Sequence, residues 1–243
     1  MQEQTVAMTD QPLYKIVSSA TPATIAEVVA VMQAIDVLLP PNDGLKWFNR
    51  LYLMVTEQVD QAPPGGAWQS PAWFTRLDVV FAGLYFSAVA DFLSGGPVCS
   101  AWSALFEARY ATGIDRIQFA LAGMNAHINH DLALALETAD ADMNWIATKD
   151  SLEFADYEAV NGLLESVMPE ALTILATDTL GVLAEDTGKV GRLLAFWDIC
   201  RARQLAWDFA DQLNGLSGVS RKIALDGQDA LTGTLGRAIL AAA

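Results

Sequence analysis

Both histidines of the chain, His127 and His130, fall in one stretch, Gly123-Met-Asn-Ala-His-Ile-Asn-His-Asp131. At about 100° per residue on a helix, His127, His130 and Asp131 span roughly 100° of circumference and project to a similar side. Around them on that face are Ala120, Gly123, Met124 and Leu134, small or apolar residues that predict cover by protein. Asn125 and Asn129, also four apart, point the other way. Leaving such groups buried and unpaired costs about 1–3 kcal/mol each, so partners are required. Gly123 costs about 1 kcal/mol in a helix interior, which implies close approach by a neighbouring helix or a ligand.

Three chemistries fit this pattern. One is a structural polar network that fixes helix register. The second is an acid–base pair, in which Asp131 orients His127 and holds its tautomer while the other ring nitrogen acts on a substrate. The third is a metal site, with His127, His130 and Asp131 as ligands and a further carboxylate from Asp78 or Glu107. An H-x-x-H-D run specifies a metal weakly, and the firmer H-E-x-x-H is absent. The residues by themselves leave all three open; no cofactor is favoured, and a divalent metal is possible.

Other candidates lie at a distance in sequence. Asp78 is the only acid between Trp73 and Asp91, in a segment that also holds Phe74, Phe81, Tyr85 and Phe86. If buried it needs a partner; an arginine salt bridge is the first expectation and catalysis the second. Glu107 and Arg109 read as surface or capping charges. Arg203 and Trp207 are spaced for a cation–π contact, Asp198 and Arg201 for an intrahelical ion pair, and Glu137, Asp140 and Asp142 for a solvated helix end. With Asp78 added to His127 and Asp131 as catalytic candidates, the expected substrate-binding set is Arg76, Tyr85, Asn125, Asn129, Arg203 and Trp207.

The elements that must position these groups are helices. Thr24-Ile-Ala-Glu27 is a capping box, and the apolar period after it stops at Pro40-Pro41. A helix is predicted over 44–61, a linker at Pro63-Pro64-Gly65-Gly66, and a helix from Ser70-Pro71 to about Leu93. Further helices are expected at 98–110, 114–138, 151–167, 169–184, 189–214 and 219–242. The nearly all-apolar 114–138 helix should be central. Strand-type alternation is almost absent. The fold class is all-α, a single domain of eight to nine helices over 21–243, with 1–20 a loose lead-in.

Composition narrows the partners. At 53% hydrophobic and 18% charged residues, the chain has ample material for one large core. Its charge of 14 − 29 = −15 repels phosphate backbones, and no basic stripe offsets that. Nucleic acid and membrane are not expected partners; a small hydrophobic, neutral or cationic molecule is, and a homo-oligomer is compatible. The most apolar run, Val79 to Ala90, is shorter than the roughly 20 residues of a membrane span. No apolar leader precedes residue 20, so the expected location is cytoplasmic. Cys99 and Cys200 match no zinc spacing and read as buried thiols.

Several segments together resemble the helical family catalogued as domain of unknown function 5995. They are Thr21-Pro-Ala-Thr-Ile25, Gly44 through Phe48-Asn-Arg-Leu-Tyr52, Arg76-Leu-Asp-Val-Val-Phe81 with Tyr85-Phe86, Ala120 through Asn129 with Asp131-Leu132, and Ala202-Arg203 with Ala206-Trp207. The resemblance spans about 21–215 and brings no established activity. It implies arginine more often than histidine at the position of His130, which weakens a two-histidine metal site and favours His127 with Asp131. The resulting expectation is a small-molecule enzyme: cyclisation, isomerisation, elimination or hydrolysis of a hydrophobic metabolite in an aromatic-lined cavity. A metal-dependent enzyme and a non-catalytic binding protein are the alternatives.

Overall fold

A computed structural model describes residues 6–175 and 198–241. Among them the chain is helical with no strands. In order come α1 (Gln11–Ser19), α2 (Ile25–Leu38), α3 (Gly44–Gln61), a short 3-10 turn (Pro64–Gly66), α4 (Pro71–Ser94), α5 (Ser100–Glu107) and α6 (Arg116–Ala126). A π-helical turn (His127–Asp131) then leads into α7 (Leu132–Met143), followed by α8 (Leu152–Leu175), α9 (Ile199–Asn214) and α10 (Gly218–Ala241).

The capping logic of the sequence holds locally. Thr24 Oγ1 accepts from the Glu27 amide while the Glu27 carboxylate accepts from the Thr24 amide, closing the box that starts α2. Asp43 caps α3 through the Leu45 amide. Every residue from Ile117 to Ala126 is buried, so α6 is apolar all round because helices cover it on all sides. α3, α5, α8 and α10 pack on α6, while α4 and α9 pack on α7. The rod α6–π–α7 is thus the axis of the bundle, as the 114–138 segment predicts.

Several boundaries differ from expectation. Residues 11–19 are not a loose lead-in: α1 buries Leu13 and Val17 and packs on α2 and α4. No break separates 151–167 from 169–184. α8 runs through Pro169 to Leu175, because Leu164, Val167, Ala171 and Leu175 continue one buried stripe across the proline. That burial outweighs the lost backbone hydrogen bond. The calls on 176–184 and 189–197 lie outside the described residues. α4 is the one helix among the described residues long and apolar enough to cross a membrane, longer than the Val79–Ala90 run suggests. It turns Trp73, Phe74, Leu77, Tyr85, Phe86 and Val89 into the core.

Gly123 marks a tight crossing. A Cβ there would overlap the Phe48 ring at its root, where the side chain cannot swing away. Gly162, exposed in α8, has nothing near such a Cβ. Gly162→Ala is expected to stabilise by up to about 1 kcal/mol. Gly123→Ala is expected to lose that gain to overpacking and destabilise by about 1–3 kcal/mol. Thermal melts of the two variants read the difference, and a Gly123→Ala protein as stable as wild type would refute the close crossing.

Candidate active site

The π turn sits on the chemistry. The Leu132 amide bonds the His127 carbonyl, five residues back, so the helix takes up one extra residue where the polar groups must face inward. Such turns recur at functional positions. Both imidazoles meet one carboxylate: His127 Nδ1 lies 3.1 Å from Asp131 Oδ2 and His130 Nδ1 lies 2.8 Å from Oδ1. Trp102 Nε1 from α5 donates to Oδ2 at 2.9 Å. Burial works against the Asp131 charge, yet the bonds from the two imidazoles hold its pKa below the usual carboxylate range.

His127 is wholly buried within aromatic rings. Phe81 stacks on it, centroids 3.5 Å apart and planes 8° from parallel, and Tyr52 meets it edge-on at 4.5 Å. Burial lowers its pKa, and the Asp131 bond only partly opposes that. The ring is therefore neutral at pH 7. Because Asp131 is ionised, Nδ1 carries the proton and donates, and Nε2 keeps its lone pair. Nε2 has no partner among the described residues.

His127 lines a cavity formed between α3, α4, the central rod, α8 and α9. Its wall is largely apolar, with Phe74, Phe81, Met124, Leu132, Val160 and Leu164 among the lining residues. The room for solvent is about 60 Å³, several times the roughly 10–15 Å³ needed by one water. Asp78, another lining residue, also has an oxygen, Oδ2, buried without a partner among the described residues. The Tyr52 hydroxyl has Thr56 Oγ1 as a hydrogen-bond neighbour, and Thr56 Oγ1 in turn donates to the Tyr52 carbonyl at 3.0 Å. Burial, with a smaller contribution from Asp60, pushes the Asp78 carboxyl up to about 7. Burial also raises the Tyr52 phenol well above its ordinary value, so it stays protonated.

Arg203, buried in α9, also lines the cavity. Its Nε donates to Asn161 Oδ1 (3.0 Å) and Nη2 to the Tyr157 carbonyl (2.6 Å). Its guanidinium lies 4.1 Å over the Tyr157 ring, not over Trp207 as the spacing suggests. Among the described residues it has no carboxylate partner.

Of the expected residues, the structure brings His127, Asp131, Asp78 and Arg203 to this place. Asp78 makes no salt bridge among the described residues, contrary to the first expectation. Arg76 is outside, paired with Asp142. Tyr85 is core, its hydroxyl donating to Asn49 (3.2 Å), and Trp207 packs on Phe154 and Tyr157. Asn125 and Asn129 serve α10: Asn125 Nδ2 donates to the Thr232 carbonyl, and Asn129 Nδ2 to Asn125 Oδ1.

Of the expected metal ligands, His127 and His130 direct their Nδ1 atoms to opposite oxygens of Asp131, and exposed Glu107 pairs with Arg237. Arg109 is no surface charge; it is buried against Asp43. Asp198 caps the Arg201 amide. Asp140 is buried, accepting from Trp73 Nε1 and the Ala147 amide, so 137–142 is not merely a solvated end. Tyr52 and Trp102 were not singled out. Tyr52 does close the family-like run from Gly44, a signal that could have found it; nothing local marks Trp102.

The molecule is thus a single all-helical domain with a carboxylate-held histidine facing an internal apolar cavity. It belongs to a family of unknown function, DUF5995, whose model matches residues 25–242. No curated protein and no solved structure matches it.

Keeping Asp78 ionised in place has an energetic signature. Its carboxyl titrates near 7 when folded and near 3.9 when unfolded, so the folded state binds the extra proton between those values. Stability then falls as pH rises through that window, by about 4 kcal/mol in all. Asp78→Asn removes this loss. Its Tm is expected to gain on wild type by several degrees more at pH 8 than at pH 5; a gap that stays flat or narrows would show that Asp78 is not buried and unpaired.

Proposed function

We propose that this protein is an acid–base enzyme acting on a small, largely apolar molecule, with His127 Nε2 as general base and Asp78 as general acid. One observation carries the reading: Tyr52, Asp78 and His127 line a single apolar cavity, and His127 Nε2 and Asp78 Oδ2 are buried without a partner among the described residues. Each leaves about 1–3 kcal/mol of desolvation unrecovered, a cost that a bound substrate with matching polar groups would offset.

The chemistry follows from protonation state. A neutral imidazole with its lone pair free can take a proton, and a carboxyl titrating near 7 can give one at neutral pH. Asp131 stabilises the imidazolium formed in the transfer without itself being protonated. The Tyr52 hydroxyl and the free N–H groups of Arg203 suit an oxygen of the substrate, a carbonyl or carboxylate. No side chain on the wall offers an activated nucleophile. Proton transfer with no net oxidation, as in isomerisation, cyclisation or elimination, therefore fits better than acyl-enzyme hydrolysis. An apolar wall with few polar groups is the usual form of such pockets.

The protonation states can be measured without a substrate. In protein with 15N-labelled histidine, the ring assigned by comparison with His130→Gln should be protonated at Nδ1 only and titrate below 6.5. A His127 ring that titrates above 6.5, or carries its neutral-form proton on Nε2, would overturn the proposal. Catalysis can be probed with a panel of cyclic enones and lactones in D2O, following deuterium wash-in beside the carbonyl by NMR. Wash-in should weaken below the His127 pKa, where the base is protonated, and again above about pH 7, where Asp78 has lost its proton. His127→Gln should cost about 10²–10⁴-fold; undiminished wash-in in that variant would remove the histidine from the reaction.

A further inference from the structure

Behind the Asp131 carboxylate, on the side away from His127, lies a second group of donors. Cys99 precedes α5, His130 ends the π turn with Asp131, and Asp229 lies in α10. One ligand atom from each lies within 4.8 Å of the others. His130 Nε2 is 4.0 Å from Asp229 Oδ1, and its Nδ1 is held by Asp131 Oδ1 at 2.8 Å. Asp229 is itself fixed, its oxygens accepting from the Ser100 and Ala101 amides at 3.0 and 2.8 Å. All three residues are only partly buried, so an ion could reach them.

We infer that Cys99, His130 and Asp229 form a three-ligand site for a zinc-class divalent cation, with Asp131 orienting His130 from behind and a water completing the shell. Thiolate, imidazole and carboxylate together suit Zn²⁺, which takes all three in tetrahedral sites. The carboxylate–histidine–metal arrangement is the usual support for such a ligand: with Nδ1 bonded to Asp131, the Nε2 lone pair is aimed at the ion. Modest side-chain closure would bring the donors to ligand distance.

The surrounding charge favours a cation. The Asp131 and Asp229 carboxylates attract a divalent ion, whose binding displaces the thiol proton. Arg237, hydrogen-bonded to the first residue of α5, is engaged elsewhere, its Nη1 donating to Ser100 Oγ at 3.3 Å and its Nη2 reaching Glu107 at 3.5 Å. Because the ion would reach Asp131 only through His130, the site stands or falls separately from the cavity at His127.

The test is Co²⁺ titration of the purified full chain under reducing conditions. Wild type should bind one equivalent, with an intense near-ultraviolet thiolate-to-cobalt band and visible bands of four-coordinate strength, and Zn²⁺ should displace it. Cys99→Ser should lose the near-ultraviolet band. His130→Gln and Asp229→Asn should each bind at least about tenfold more weakly, with circular dichroism and Tm confirming that each variant is folded. Stoichiometric cobalt without the thiolate band, affinity unchanged in Cys99→Ser and His130→Gln, or no binding by wild type would each overturn the site.

Discussion

The Asp131 carboxylate is the constraint on which the centre of this molecule depends. It is a buried charge, and a buried charge survives only when its lone pairs are filled. Here His127, His130 and Trp102 fill them, from the central rod and from α5. The arrangement fixes more than one thing. It settles the His127 tautomer, so that the free lone pair is the one on the cavity side. It also ties α5 to the rod. The π turn at His127–Asp131 coincides with this cluster.

Around that anchor the fold separates polar groups by the partner each one meets. On one flank of the rod, Gln118 reaches the Ile239 and Leu240 carbonyls and Asn125 the Thr232 carbonyl, so the amides are used to dock α10. Elsewhere Tyr52 of α3, Asp78 of α4 and His127 of the rod line the cavity. The rod therefore carries amides that are satisfied and fix packing and, at His127, a ring nitrogen without a partner among the described residues. The difference is visible only once neighbouring helices are in place.

This explains what could be read from the sequence and what could not. The helices, their caps and the central position of the rod follow from apolar period and cap residues, which act within a few positions of one another. His127 with Asp131 was legible for the same reason, four residues apart on one helix. Asp78 was legible as a candidate, but its lack of an arginine was not. Whether a lone acid in an aromatic helix finds one depends on what packs opposite, and among the described residues no cation does. Asn125 and Asn129 misled in the reverse direction, because their partners come from a helix about a hundred residues later. Arg109 read as a surface charge, but a buried Asp43 awaits it. The Pro169 boundary failed because a proline's local effect is weaker than a buried stripe that continues past it.

The unsatisfied groups also bear on how the domain is stabilised. A core this apolar has no need of Asp78. A leucine there would fill space and remove a group whose ionisation is opposed by burial throughout the neutral range. The gain forgone is comparable to much of the net stability of an ordinary domain, about 5–15 kcal/mol. Groups that weaken a fold in this way persist where function holds them, and they concentrate at sites of catalysis and binding. Such an argument would be weak for one residue alone. It gains force here because the destabilising acid, the buried phenol and the free imidazole nitrogen line one hollow, while the polar side chains facing α10 have found partners.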